Sequence, residues 1–151
     1  CNGLPGIVLA RAVVRGLSPR LVPDTVTADL RRAEPALAKE VQTVDTLCCG
    51  TSGRAEVLRY LIWSGSMMAD TDSASAGTAD AEYRRTLGQL ATRTLEGRLR
   101  LGVPADSPLP VMGLFQGSSG VLYTLLAATS ATLPHPLTWL PGWVSSESLG
   151  H

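Results

Sequence analysis

At 151 residues, 44% of them hydrophobic and few aromatic, the chain has apolar material for one domain with a core, and its Ala-, Leu- and Gly-rich composition favours packed helices over strands. Basic and acidic residues number 13 each and form no block of one sign, which argues against nucleic acid or an anionic membrane as the main partner. No apolar run is long enough to span a bilayer and no signal peptide is visible. A cytoplasmic chain is expected because its three cysteines make a secreted disulfide framework unlikely and leave thiols free for metal.

The chain opens on Cys1, then Gly3-Leu-Pro-Gly6 and an apolar helical segment from Ile7 to Gly16. With no initiator methionine and a motif at its first residue, it reads as a piece of a larger protein. Asp24 suits the N-cap of an amphipathic helix through Val26, Leu30 and Ala33, with Pro35 bending or restarting it towards Val41. Cys48 and Cys49 stand directly before Gly50-Thr-Ser-Gly53, and a second apolar helix follows from Arg54 to Ser64. The stretch Ser64 to Asp80 is small, polar and acidic, so a flexible surface loop is expected, with Asp70, Asp72 and Asp80 serving solvation rather than metal binding. Ala79 to Leu99 sets Leu87, Leu90, Ala91, Leu95 and Leu99 on one side of a helix and arginines on the other. Gly117-Ser-Ser-Gly120 introduces a third apolar segment, Val121 to Thr129. From Pro134 a proline-broken, extended tail is expected to lie across the body through Trp139 and Trp143, with 145–151 loose.

A single Gly-x-x-Gly signals little more than a tight loop entering a helix. Three of them, each before an apolar helix and separated by amphipathic segments, predict a repeated scaffold. The pattern of buried helix, surface helix, buried helix is that of an all-α array with inner helices ringed by outer ones. In the third copy Phe115 and Gln116 take the place of the cysteines, so the loop does not need thiols to form.

Three cysteines cannot all pair, and adjacent ones make at best a strained disulfide. Two readings stay open. The thiols are small buried hydrophobes, or they are metal ligands. A thiolate just before a helix N-terminus is stabilised by the helix dipole, which lowers its pKa, and on a loop both side chains of a Cys-Cys pair can turn to one ion. Cys1, Cys48 and Cys49 without an obvious fourth ligand suit tetrahedral zinc with one open position, a catalytic arrangement. His135, between Pro134 and Pro136 in an expected surface strand, would make it a closed, structural Cys3His site instead. His151 is terminal.

Taken in order, "CNGLPG", "LCCGTSG" and "GLFQGSSGVLYTLL" resemble the last three inner-helix motifs of the lanthionine synthetase C-like family, over nearly the whole chain from Cys1 to about Leu140. The resemblance implies an α/α toroid, here its C-terminal portion, with helical repeats over 1–140 and a tail over 141–151. It implies Zn2+ held by Cys1, Cys48 and Cys49, with Cys49 standing where the family usually has histidine. That departure resembles the Cys-Cys-Gly subgroup, the cyclase domains of class II (LanM-type) lanthipeptide synthetases. The implied reaction is addition of a precursor-peptide cysteine thiol to dehydroalanine or dehydrobutyrine, closing a lanthionine thioether ring. The implied partners are the precursor lanthipeptide as substrate and a dehydratase domain upstream in the same polypeptide. The family's acid–base residues lie upstream of the first zinc ligand, so no general acid is assigned here, and the piece alone is expected to be inactive. Other readings of the same fold are a non-catalytic module that binds thiol peptides or glutathione through zinc, and the structural Cys3His domain.

Overall fold

The computed structural model describes residues 3–17, 24–39, 42–64, 73–102, 111–130 and 132–138. Cys1, Asp70, Asp72, Trp139, Trp143 and His151 lie outside them. Five helices follow one another: α1 (Leu4–Leu17), α2 (Asp24–Lys39), α3 (Thr51–Trp63), α4 (Ser73–Leu95) and α5 (Ser118–Ala127). Among the described residues there is no strand, and no helix is long and apolar enough to cross a membrane.

Of the three segments expected to be buried on most sides, α3 alone is so, while α1 leaves Ile7, Val14 and Leu17 exposed and α5 leaves Leu122 and Leu126 exposed. α3 is buried nearly all round, from Thr51 to Leu58 and again at Tyr60 and Leu61. A helix with so little polar surface is stable only with neighbours on most sides. Those neighbours are α1 on one side and α5 on the other, with α2 packed on α1 and α4 laid across α3 and α5. The result is an arc of an α/α toroid, with α1, α3 and α5 inside and α2 and α4 outside. One apolar cluster joins Val8, Leu9 and Ala12 of α1 to Leu30 and Leu37 of α2 and to Val57, Leu58, Tyr60 and Leu61 of α3. A second joins Ala55 of α3, Leu90 of α4 and Val121 of α5.

Arg54 is the polar tie across the layers. Its buried guanidinium donates to the Leu37 carbonyl (2.7 Å) and pairs with Glu82 of α4, which also holds Arg85. Burying a charge this deeply is tolerable only with such partners.

The structure departs from the sequence-based expectations in four places. The helices begin inside the Gly-x-x-Gly motifs: Gly50 and Gly117 are N-caps and Gly53 and Gly120 are already helical. α2 runs unbroken through position 35. α4 starts at Ser73, inside the stretch expected as a loop, and stops at Leu95, where Gly97 (φ 65°) turns the chain. Leu95, assigned to the apolar side, is 88% exposed, because the helix ends before its neighbours can cover that position.

Candidate metal centre

The loop that leads into α3 and the one that leads into α5 are built alike. Gly50 N–H donates to the Thr46 carbonyl (3.0 Å) and Thr51 N–H to the Val44 carbonyl (2.9 Å). In the other copy Gly117 N–H donates to Gly113 (2.8 Å) and Ser118 N–H to Val111 (2.9 Å). A serine in each helix closes the turn again, Ser52 onto the Asp45 carbonyl and Ser119 onto that of Met112. The glycines are required by close approach; the φ angles of Gly50 and Gly117 lie in the ordinary extended range. A Cβ on Gly50 would lie 2.5 Å from both the Val44 oxygen and the Thr46 nitrogen. On Gly53 it would collide with the Leu47 carbonyl, and on Gly120 with that of Leu114.

On the α3 copy this tight loop carries the two thiols. Cys48 and Cys49 stand side by side, with the Cys49 thiol donating to Cys48 Sγ at 3.2 Å, far too long for a disulfide at about 2.05 Å. That hydrogen bond first, and burial second, push the Cys49 thiol above its usual pKa. The expectation of a helix-lowered pKa therefore does not hold for Cys49, whose thiol proton is shared with another sulfur. Cys48 N–H donates to the Phe115 carbonyl (2.8 Å), so the thiol-free third loop helps set the position of the second.

Three residues before Cys48, on the same loop, lies Asp45, 0% exposed. Its carboxylate accepts from Thr51 Oγ1 (2.9 Å), Arg93 Nη1 (2.6 Å), Arg100 Nη2 (2.9 Å) and Arg100 N–H (3.0 Å), while Asp45 N–H donates to the Arg100 carbonyl (2.6 Å). Burial opposes the charge, but the bonds from Arg100 and Thr51 outweigh it and hold the carboxyl below its ordinary pKa. Sequence reasoning missed Asp45, Arg93 and Arg100. The available signal was a comparison of the repeats, since the third loop has Met112 in the place of Asp45.

The thiols open on a cavity of about 440 Å³ lined by Gly3, Gly6, Leu9, Leu47, Val57 and Leu137, among others. Gly3 is two residues from Cys1, so the start of α1 faces the same space as Cys48 and Cys49. The donor set suits zinc. A tetrahedral ion bound at about 2.3 Å holds two sulfurs roughly 3.8 Å apart, so this pair needs to open by only about half an ångström. Among the described residues no three His, Cys, Asp or Glu side chains gather around one point, and the third candidate ligand, Cys1, lies outside them.

His135 is elsewhere. Expected on a surface strand, it is 4% exposed, donates from Nε2 to the Glu56 carbonyl (2.9 Å) and packs edge-on against Tyr60. The segment that carries it is held to α5 by Tyr123, whose hydroxyl donates to the Pro134 carbonyl (2.8 Å). Its Nε2 is thus committed to the Glu56 carbonyl, and His135 is not among the residues that line the cavity beside Cys48 and Cys49. Burial lowers its pKa to about 4; the Glu56 carboxylate 3.6 Å away does not reverse this because Arg59 already pairs with it (2.7 Å) and its guanidinium disfavours a second cation. Glu56 is itself pushed up by burial.

The sequence profile described as Lanthionine synthetase C-like protein matches residues 1–139. The chain belongs to this family. The match takes in all three Gly-x-x-Gly loops and every helix of the arc, so the inner and outer layers described above are the lanthionine synthetase C-like repeat. No curated protein and no solved structure matches the chain.

Proposed function

We propose that the chain is the zinc-carrying part of a thioether cyclase, acting on a precursor peptide whose serines and threonines have been dehydrated. The observation that carries this reading is the Cys48–Cys49 pair at the mouth of a cavity that the start of α1 shares, in a lanthionine synthetase C-like chain. Cys1, Cys48 and Cys49 would hold the ion. Zinc so held would keep an incoming peptide thiol deprotonated at neutral pH, the form that adds to an activated alkene.

The chain's own residues supply the setting. Gly3, Gly6, Gly50 and Gly53 give the cavity a wall without side chains, against which a peptide backbone can lie closely. Leu9, Leu47, Val57 and Leu137 add apolar surface beside the polar Gln42 and Arg54, which would limit the water that competes with sulfur for the alkene. The Cys-Cys pair favours the class II, Cys-Cys-Gly form of the enzyme, with dehydration performed by another domain of the same polypeptide and the whole in the cytoplasm. The deciding experiment measures zinc content and ring closure of a pre-dehydrated peptide in the full-length protein. One zinc per chain, lost together with cyclisation in the Cys48→Ala, Cys49→Ala double variant, is the expected result. Zinc retained by that variant would overturn the ligand assignment.

A further inference from the structure

The two loops that enter α3 and α5 make the same backbone turn, yet only one of them has a buried carboxylate behind it. Asp45 is fully buried, whereas Met112, its counterpart, is 65% exposed and has no charged partner to hold. The turn over Gly117 forms as well as the turn over Gly50, with hydrogen bonds of 2.8 and 2.9 Å against 3.0 and 2.9 Å. A carboxylate is therefore not needed to make this loop. What the α3 loop carries and the α5 loop lacks is the pair of thiols.

The bonds of Asp45 show what the carboxylate adds. Through Oδ1 and Oδ2 it ties the loop to Arg93 at the end of α4 and to Arg100 beyond it, and its own N–H returns a bond to the Arg100 carbonyl. Through Thr51 Oγ1 it is tied to the first residue of α3, and through its backbone oxygen to Ser52. On the other side of the thiols, Cys48 N–H is pinned to the Phe115 carbonyl. Cys48 and Cys49 thus sit on a short span anchored at both ends, to the outer-layer helix by Asp45 and to the neighbouring loop by Cys48 itself.

We infer that Asp45, clamped by Arg93 and Arg100, is a positioning residue for the Cys48–Cys49 metal ligands. It acts through the backbone between Asp45 and Cys48. A clamp of this kind matters because two adjacent side chains meet one ion only in a narrow range of backbone geometry, and partners one step removed from the ligands commonly change metal affinity by about 10- to 100-fold. The inference rests on the metal reading proposed above and adds a residue to it.

The test is cobalt(II) titration of the full-length protein, wild type against Asp45→Asn and, separately, Arg93→Gln. Three quantities are read: the dissociation constant, the d–d and sulfur-to-cobalt absorption bands, and the melting temperature of each apoprotein. Asp45→Asn keeps the shape of the side chain and an acceptor for Thr51, but loses the charge that holds both guanidiniums. Arg93→Gln leaves Asp45 its bonds to Arg100 and Thr51, and decides the matter should the first variant fail to fold. The expected result is cobalt binding weakened by about tenfold or more, with shifted d–d bands, at a temperature where the variants are fully folded. A lowered melting temperature with unchanged affinity and spectrum in the folded protein would assign Asp45 to stability alone and overturn the inference. Wild type that shows no thiolate-to-cobalt band would overturn the metal reading, and this inference with it.

Discussion

Replacing Gly53 with alanine puts one methyl group where the backbone has left no room. The added Cβ would collide with the Leu47 carbonyl, a backbone atom that cannot swing aside as the end of a side chain can. Overpacking of a tight site costs about 1–3 kcal/mol, and a backbone obstacle argues for the upper end, about 3 kcal/mol. For a chain of this size each kcal/mol moves the melting temperature by about 2–4 °C, so Gly53→Ala should melt about 6–12 °C below wild type. Gly120→Ala should behave alike, because its Cβ would strike the Leu114 carbonyl and lie 2.9 Å from Leu47 Cβ. Gly88→Ala is the control. Within α4 a Cβ at Gly88 meets nothing within 4 Å, so the substitution should stabilise the helix by about 0.5–1 kcal/mol. Thermal and urea unfolding followed by circular dichroism measure all three. A Gly53→Ala protein within about 0.5 kcal/mol of wild type, the range of an ordinary surface change, would refute the close-approach account of the motif.

On the proposed cyclase reading, Cys49→His in the full-length protein should still bind zinc, since imidazole binds at a similar distance, but would exchange a thiolate for a neutral ligand. Cyclisation of a pre-dehydrated peptide should slow by about 10- to 100-fold, or roughly 1.4–2.7 kcal/mol of barrier, with dehydration untouched; an unchanged rate with zinc retained would reduce Cys49 to a simple ligand. His135 predicts an acid limb to the stability curve. Its imidazole takes a proton near pH 6.5 when unfolded but only near 4 when folded, so between these values the unfolded chain binds more protons. Stability should therefore fall as pH drops from about 6.5 to 4, by up to about 3 kcal/mol, and should be at its full value above 6.5. His135→Gln keeps a donor for the Glu56 carbonyl without titrating, and should flatten that limb in urea melts taken at several pH values; an unaltered slope would show that another group is responsible.

The helical class, the alternation of inner and outer helices and the repeat of the glycine loops were legible in the residues themselves. They follow from local periodicity and from a spacing that recurs three times, and neither depends on what lies across the fold. The cysteine pair was legible for the same reason, because adjacency is a property of the chain. Helix ends were read less well. Ser73 to Thr78 looks like loop by composition, yet it is the first part of a 23-residue helix whose later turns pack on α3 and α5. His135 and Asp45 were beyond a linear reading. A histidine between two prolines gives no sign that it will be carried against the middle of α3 to the Glu56 carbonyl, 79 residues earlier in the chain. An aspartate three residues before a cysteine looks like any loop carboxylate until Arg93 and Arg100 arrive from 48 and 55 residues away. Local pattern determines which segments become helices and which faces they bury. The partners of a buried charge are decided only when separate elements pack, because desolvation makes an unpaired carboxylate costly and only tertiary structure can bring its cations to it.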